Sequence, residues 1–277
     1  MGKNIREEKK EKNKMNFSIL FCAYNMEDYL KKSLSPFIEA KKNGILNCNF
    51  KIVAISTPFE QFNEPRTDNT LLLLKEMYKN GEIDFLIESN LPIKETEARG
   101  MALNWAKNND SDFSFQVDAD EFYTLEQIEK IINFVKQNLF NVWFKISLKN
   151  LVFSSEKFLK EPFQPPRIHK LKYNTKISNL EAIGFHDDNG VAYKDRNGKI
   201  WLDKQLPCKI IPSNIVWVKH FTWLNDERSK KKIEYHTKRW GSNFCSFKWD
   251  KEKGLSFNEE YYKMIGKPLP EVIEESS

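Results

Sequence analysis

Residues 113 to 127 read Phe113-Ser114-Phe115-Gln116-Val117-Asp118-Ala119-Asp120-Glu121-Phe122-Tyr123-Thr124-Leu125-Glu126-Gln127. Phe113, Phe115 and Val117 recur at the period that puts alternate side chains on one face, so the stretch begins as a core strand. Three carboxylates, Asp118, Asp120 and Glu121, follow at its carboxyl end. Thr124 with Gln127 makes a capping box, and Leu125, Ile128, Ile131, Ile132, Val135 and Leu139 continue at helical spacing. Two aspartates are thereby pinned in a turn between a strand and a helix. In open α/β sheets, ligands bind at the carboxyl ends of strands.

Asp118 and Asp120 are hard anionic donors of the kind that hold Mg²⁺ or Mn²⁺ while leaving positions for water and diphosphate oxygens. The same residue types also serve as turn and cap residues by accepting from nearby backbone amides. Both readings stand at this level.

Working outward, the chain of 277 residues is long enough to bury a full core, and 40% hydrophobic with 13% aromatic residues is a globular composition. The net charge of +5 comes from interspersed charges, which permits anionic partners without demanding nucleic acid. Cys22, Cys48, Cys208 and Cys245 form no CxxC knuckle and read as reduced thiols. Residues 1–16 are a Lys/Glu-rich tail expected to lack order, and the apolar run at 17–24 is too short for a signal or membrane helix. The expectation is a cytoplasmic protein without a membrane span.

A buried first strand is expected at 17–21, then a helix with Met26, Leu30, Leu34, Phe37 and Ile38 as its apolar stripe, stopped by Asn43-Gly44. A second strand at 50–55 leads into a loop with Pro58 and Pro65, and Asp68 is expected to N-cap the helix through Leu71, Leu72, Leu74 and Tyr78. After a third strand at 83–87 comes a helix burying Ala98, Met101, Ala102 and Trp105, with Glu97 and Arg99 toward solvent. Strands alternating with helices argue for βαβ units: an α/β fold, Rossmann-like, its mostly parallel sheet flanked by helices.

Beyond the capped helix the alternation ends. Residues 142–153 read as one strand, 193–201 as a hairpin around Asn197-Gly198, and 215–218 as a strand ending at Lys219-His220. A basic helix at 226–240 has Ile233, His236 and Trp240 as a thin buried stripe. The second half thus reads as an α+β extension of the same domain.

In sequence order, four pieces resemble family 2 glycosyltransferases of the GT-A fold. They are the first strand with Tyr24-Asn25-Met26-Glu27-Asp28-Tyr29-Leu30, the helix with Glu97-Ala98-Arg99, the strand end Asp118-Ala119-Asp120-Glu121-Phe122, and the late Lys219-His220-Phe221. The resemblance implies a GT-A domain over 17–240, with a nucleotide-sugar-binding half at 17–124, an acceptor half at 125–240 and a C-terminal extension at 241–277. It further implies that Tyr24, Asn25 and Glu27 border the nucleotide, that Arg99 approaches the phosphates, and that Asp118 and Asp120 hold Mn²⁺ or Mg²⁺. Where the family ends its second strand in an aspartate that contacts the base, this chain has Ile55-Ser56-Thr57-Pro58, leaving Ser56 at that place. Thr67-Asp68-Asn69-Thr70 looks like the family's Ser-Thr-Asp element.

Pro166-Arg167-Ile168-His169 and Ala182-Ile183-Gly184-Phe185-His186-Asp187 resemble a subgroup with a Pro-Arg-leucine segment and a His-Glu pair, near which lies an acidic catalytic base. Asp187 stands where glutamate is usual, and Asp188 is its rival. His220 resembles the histidine that completes the metal site. The implied activity is inverting transfer of a sugar from a nucleotide-diphosphate-sugar to a hydroxyl of a glycan, lipid or protein acceptor.

Each residue also has an ordinary reading. Arg99 reads as a solvated helix residue, the turn from Asp187 to Gly190 as a tight turn, and His220 as a hydrogen-bonding group at a strand end. His169, His186 and His236 are read as structural. Trp201, Trp217, Trp223 and Trp240 suit either sugar stacking or core. Two other functions compete: a nucleotidyltransferase, which would bring a glycine-rich first loop absent here, and a non-catalytic nucleic-acid or glycan binder. The binder would use the basic helix at 228–239 with Trp240, Phe244, Phe247 and Trp249.

Overall fold

The structure is a computed structural model that describes residues 14–60, 65–174, 179–187, 190–224, 227–241 and 245–274. Asp188 and Phe244 lie outside the described residues, as do the side chains of His236 and Trp240. Packing divides the chain into two compact units, Met1–Ile146 with Pro165–Val216, and Ser147–Gln164 with Trp217–Ser277. No helix among the described residues is long and apolar enough to cross a membrane. All four cysteines are free thiols.

In the first unit the chain runs β1 (Met15–Cys22), α1 (Glu27–Asn43), β2 (Cys48–Ser56), α2 (Thr70–Lys79), β3 (Phe85–Glu88), α3 (Glu95–Asn108), β4 (Phe113–Asp118), β5 (Glu121–Phe122), α4 (Leu125–Gln137) and β6 (Trp143–Lys145). The next two strands, β7 (Leu148–Phe153) and β8 (Lys157–Leu159), belong to the second unit. The first unit resumes with β9 (Pro166–Lys170), β10 (Lys172–Asn174), β11 (Asn179–Phe185), β12 (Val191–Asp195), β13 (Ile200–Leu202) and β14 (Cys208–Ile210).

Its central sheet has the order β14-β6-β9-β4-β1-β2-β3. β1 pairs in parallel with β2 and β4, β2 with β3, and β14 with β6, while β9 lies antiparallel between β4 and β6. The fold class is therefore the expected one, α/β with a mostly parallel sheet flanked by helices. Because helices cover the sheet, central strands are apolar throughout rather than alternating. In β4 even Ser114 and Gln116 are buried, so both of its faces lie in the core. Phe17 stacks between Phe50 and Phe113 at 5.8 and 5.2 Å, and Phe37 of α1 meets Phe115 and Tyr123 edge-on. Gly44, in the left-handed region at φ 56°, ends α1, and the Thr124–Gln127 capping box starts α4.

Several expectations shift. β1 begins at Met15, so Asn16 belongs to a strand and not to a tail. α3 turns a different face inward, burying Ala98, Arg99, Ala102, Leu103 and Ala106 and leaving Met101 exposed. This is the stripe that packs on Leu180, Ala182, Val191 and Tyr193 of the antiparallel sheet β10-β11-β12-β13. Residue 68 is not the N-cap of α2, which is Asn69; Asp68 instead accepts from Thr70 N at 2.9 Å. The single strand expected at 142–153 is two strands in two sheets. The hairpin around Asn197-Gly198 forms as expected, with Gly198 at φ 84°.

In the second unit, β18 (Val272–Glu274), β8, β7 and β15 (Val218–Leu224) lie side by side, joined by α5 (Glu227–Trp240), the hairpin of β16 (Phe247–Asp250) and β17 (Gly254–Phe257), and α6 (Glu259–Met264). Val152, Ile233, Cys245, Phe247 and Leu255 form its core. His220 lies inside β15, since the strand starts at Val218 and not at 215.

Candidate active site

Cys22 and Asp118 end β1 and β4 opposite one another in register. The sheet runs from β1 through β2 to β3 on one side and through β4 on the other, so the strand order reverses between them. Open α/β sheets leave a ligand crevice at that reversal. The acids singled out in the sequence stand at its edge.

Asp118 is a hub. Its Oδ1 accepts from Arg99 Nη2 at 2.7 Å and its Oδ2 from Arg167 Nη2 at 3.0 Å. Arg99 also donates from Nε and Nη2 to Glu95 Oε1, at 2.9 and 2.6 Å, across one turn of α3. Arg167 donates from Nε to Glu121 Oε1 at 2.9 Å, and Tyr123 Oη donates to Glu121 Oε2 at 2.9 Å. Arg99 and Arg167 are each 2% exposed and Glu121 is fully buried. Burial by itself would raise the Asp118 pKa, but Arg99 and then Arg167 outweigh it and hold the carboxyl below its usual range. Burial pushes the neighbouring Cys22 thiol up to about 12, so it stays protonated.

This geometry corrects one expectation. Arg99 does not face solvent; it is packed into the unit with carboxylates on two sides, and its buried Nη1 has no partner among the described residues.

The cation expected on Asp118, Asp120 and His220 finds no ready cage, because no three His, Cys, Asp or Glu side chains converge among the described residues. Both Asp118 oxygens face guanidiniums. His220, in the second unit, has Nδ1 2.7 Å from Asn150 Oδ1 and its ring stacked on Phe163. Mg²⁺-type sites, however, are often held by one or two carboxylates with the phosphates of a substrate supplying the rest. Asp120 and Asp118 are donors of that kind, since each Asp118 oxygen that accepts one guanidinium bond has a second lone pair.

At the end of β1, Asn25 adopts φ 53° and ties two loops together: Nδ2 donates to Pro65 O at 2.9 Å and Oδ1 accepts from Thr67 N at 3.0 Å. Glu27 Oε2 accepts from Asn69 N at 3.0 Å, while Glu27 N donates back to Asp68 Oδ2 at 2.9 Å. Asp68 thus serves the first turns of α1 and α2 together. Where the resemblance places a base-contacting residue, Ser56 is buried and its Oγ accepts from Arg66 Nη1 at 3.0 Å. Arg66 also donates to Ser56 O and Ser89 O and lies 5.0 Å from the centre of the Tyr24 ring.

A second polar cluster sits around Asp203, in the turn Asp203–Gln205 after β13. His169 Nε2 lies 3.3 Å from its Oδ2 and His186 Nε2 3.1 Å from its Oδ1. His186 Nδ1 in turn lies 2.9 Å from Asp187 Oδ2, and Asp187 Oδ1 accepts from Gly190 N at 2.7 Å. Arg167 and His169 occupy alternate positions of β9, hence one face, so this strand serves both clusters.

The structure therefore brings Arg99 to Asp118, Asn25 and Glu27 to the segment at 67–70, and Tyr24 with Ser56 to Arg66. Sequence reasoning passed over Arg66, Arg167 as the partner of Asp118, Glu121, Asp203 and the placement of His186. Arg99 carried a signal, since it falls on the helical stripe of Ala102, Leu103 and Ala106. The binder reading loses a platform: Phe247 is buried and stacked on Trp223 at 4.5 Å.

No protein-family model matches the sequence, and no curated protein does. Among solved structures, the chain is similar to S. aureus TarS at TM-score 0.37 and 19% identity, covering 56% of this chain and 28% of that one. TarS 1-349 in complex with UDP-GlcNAc is similar at TM-score 0.36 and 22% identity, over 53% of this chain and 39% of that one. Glucosyl-3-phosphoglycerate synthase from Mycobacterium tuberculosis, in complex with Mn²⁺, uridine-diphosphate and glucosyl-3-phosphoglycerate, is similar at TM-score 0.35 and 12% identity, over 51% and 47%. The similarity spans less than half the length of each of these structures.

Proposed function

We propose that this chain is a metal-dependent glycosyltransferase that moves a sugar from a nucleotide-diphosphate-sugar to an acceptor hydroxyl with inversion. The observation that carries the reading is the position of the turn from Asp118 to Asp120, at the end of β4 beside β1 where the strand order reverses. The motif order in the sequence supports it independently.

A Mn²⁺ or Mg²⁺ ion, held by Asp118 and Asp120 together with the donor's phosphate oxygens, would supply Lewis-acid stabilisation of the departing diphosphate. The chain's own residues do the rest. Arg99 and Arg167 keep Asp118 ionised and fixed, and the turn that carries Asp120 is anchored on one side by Asp118 and on the other by Glu121. The interlocked loops at Asn25 and Glu27 hold Tyr24 and Arg66 beside the ends of β1 and β2 for the nucleotide. Asp187, whose side chain is 61% exposed, takes the proton of the acceptor hydroxyl as that oxygen attacks the anomeric carbon, with Asp188 the alternative base.

The test is a panel of nucleotide-diphosphate-sugars with Mn²⁺, reading free nucleotide diphosphate, for wild type and Asp120→Ala. Turnover should fall on the order of 100-fold in the variant. Absence of release from every donor, or equal release by the variant, rejects the reading. Asp187→Asn and Asp188→Asn, made separately, assign the base.

A further inference from the structure

The chain has seven tryptophans, and the side chains of six are described. Five of these have a ring or hydrogen-bond partner. Trp105 stacks on Phe85 and Trp223 on Phe247, Trp217 meets Phe158 edge-on, Trp143 Nε1 donates to Leu206 O at 3.1 Å, and Trp201 Nε1 donates to Asp195 Oδ2 at 3.1 Å. Trp249 differs: among the described residues its ring has no stacking or cation partner and its N–H has no acceptor. An indole ordinarily joins burial of its apolar body to a partner for its polar edge. Trp249 meets only the first condition, being half-buried against the core of Val152, Ile233, Phe247 and Leu255.

Trp249 lines a cavity of about 280 Å³ within the second unit. One wall is β16, where Phe247 and Trp249 share a face at the two-residue period, and another is α5, where Ile233 and Thr237 stand one turn apart. Asn258, the N-cap of α6, and Glu260 beyond it make the third. Asn258 is buried, its Nδ2 donating to Cys245 O at 2.9 Å and its N to Ser246 O at 3.0 Å, so the turn that carries Glu260 is fixed to the start of the hairpin. Lys248 also borders the cavity, which leaves its wall without net charge. Among the described residues, neither Lys248 nor Glu260 has an ion-pair partner or a side-chain hydrogen bond.

We propose that this cavity binds one residue of a neutral carbohydrate, with Trp249 as its stacking platform and Glu260 as the carboxylate that accepts from its hydroxyls. A sugar ring has an apolar C–H face and a rim of hydroxyls, each able to donate and to accept. The indole covers the face and offers its N–H to a hydroxyl oxygen, while Glu260 takes hydroxyl hydrogens. A phosphate group would call for donors alone, and Glu260 repels it; a cation would call for acceptors alone. The volume is at the small end of ligand pockets, room for a single ring and not for a nucleotide. Nucleic-acid bases stack on indoles too, but sites for single strands join their aromatic platforms to a positively charged groove, and this wall is balanced in charge. The assignment uses no residue of the first unit, so it stands apart from the transferase reading.

The test follows the indole N–H resonances of the full chain by NMR while the methyl glycosides of glucose, galactose, mannose and N-acetylglucosamine are added separately, with no metal or nucleotide present. Trp249 is identified by the resonance missing in Trp249→Phe. At least one glycoside should shift it saturably, while the resonances of Trp143 and Trp201, whose N–H groups have acceptors in the first unit, stay in place. Affinities of the variants are read by saturation transfer to the sugar's own C–H protons. Glu260 is exposed, so Glu260→Gln leaves folding undisturbed and should weaken binding on the order of 10-fold. Trp249→Leu keeps apolar packing but removes the aromatic face and should weaken it severalfold, with Trp249→Phe retaining most of the affinity. A Trp249 resonance that no glycoside moves, binding unchanged in Glu260→Gln, or a response to a single-stranded oligonucleotide and to no sugar overturns the proposal. Since no donor is involved, a failed turnover assay leaves this result readable.

Discussion

Arg167 and Asp118 join neighbouring strands, Nη2 of the one donating to Oδ2 of the other at 3.0 Å, and the same guanidinium grips Glu121 beyond the turn. One buried cation thus holds both ends of the segment that carries Asp120. Arg167→Met would strand Glu121, fully buried, and weaken the hold on Asp118. Breaking a buried pair by removing one partner costs about 3–5 kcal/mol. Arg167→Lys should recover little of this, since an ammonium cannot reproduce the planar fork. Urea unfolding measures both, and a loss below about 1 kcal/mol for Arg167→Met would contradict the clamp.

Asn25 combines a backbone at φ 53° with two side-chain bonds to the neighbouring loop. Asn25→Gly keeps the conformation and loses the bonds, at about 0.5–1.5 kcal/mol each. Asn25→Ala loses the bonds and adds roughly 1–2 kcal/mol for the left-handed backbone. The two variants should therefore separate in thermal unfolding, Ala below Gly. Equal midpoints would mean that the backbone angle carries no cost.

The scaffold was legible where periodicity governs. β1, β2, β4 and α4 follow from apolar runs and a capping box, and the sheet order then follows from βα alternation. Strand limits failed at 142–153 because Phe144, Ile146 and Leu148 continue one apolar alternation across the change of sheet, and Ser147 between them is buried as well. Charge was the harder matter. Arg99 was assigned to solvent because an unpaired guanidinium belongs there, and its partner Asp118 lies on another element; nothing local announces the pair. Asp203 offered less still, being a lone acid after a hairpin whose role exists only once β9 and β11 bring His169 and His186 to it.

Gly190→Ala tests the packing of that cluster. The added Cβ meets the imidazole of His186 and the Asp187 carboxylate, and the ring cannot simply swing away, since Asp203 holds its far side. Displacement should cost about 1–3 kcal/mol, the usual range for overpacking. The His186 ring resonances should move while those of His220, in the other unit, stay in place. Unaltered His186 resonances would show that the ring is not confined as described.

Asp203 also sets a pH dependence whose sign is fixed. Its pKa in the folded protein, about 2, lies below the ordinary value of 3.8. A lowered carboxylate contributes stability that is complete above the unfolded value and is lost as pH falls through the folded one, so the window is about pH 4 to pH 2. The difference corresponds to about 2 kcal/mol, at about 1.4 kcal/mol per pH unit. The carboxyl of Asp118 is lowered as well, by Arg99 and Arg167, so the comparison must isolate one residue. Asp203→Asn should be less stable than wild type at neutral pH and should lose about 2 kcal/mol less between pH 4 and pH 2. Unfolding free energies measured by urea at both ends of the window decide it. Parallel losses in the two proteins would mean that the bonds from His169 and His186 do not stabilise the Asp203 charge.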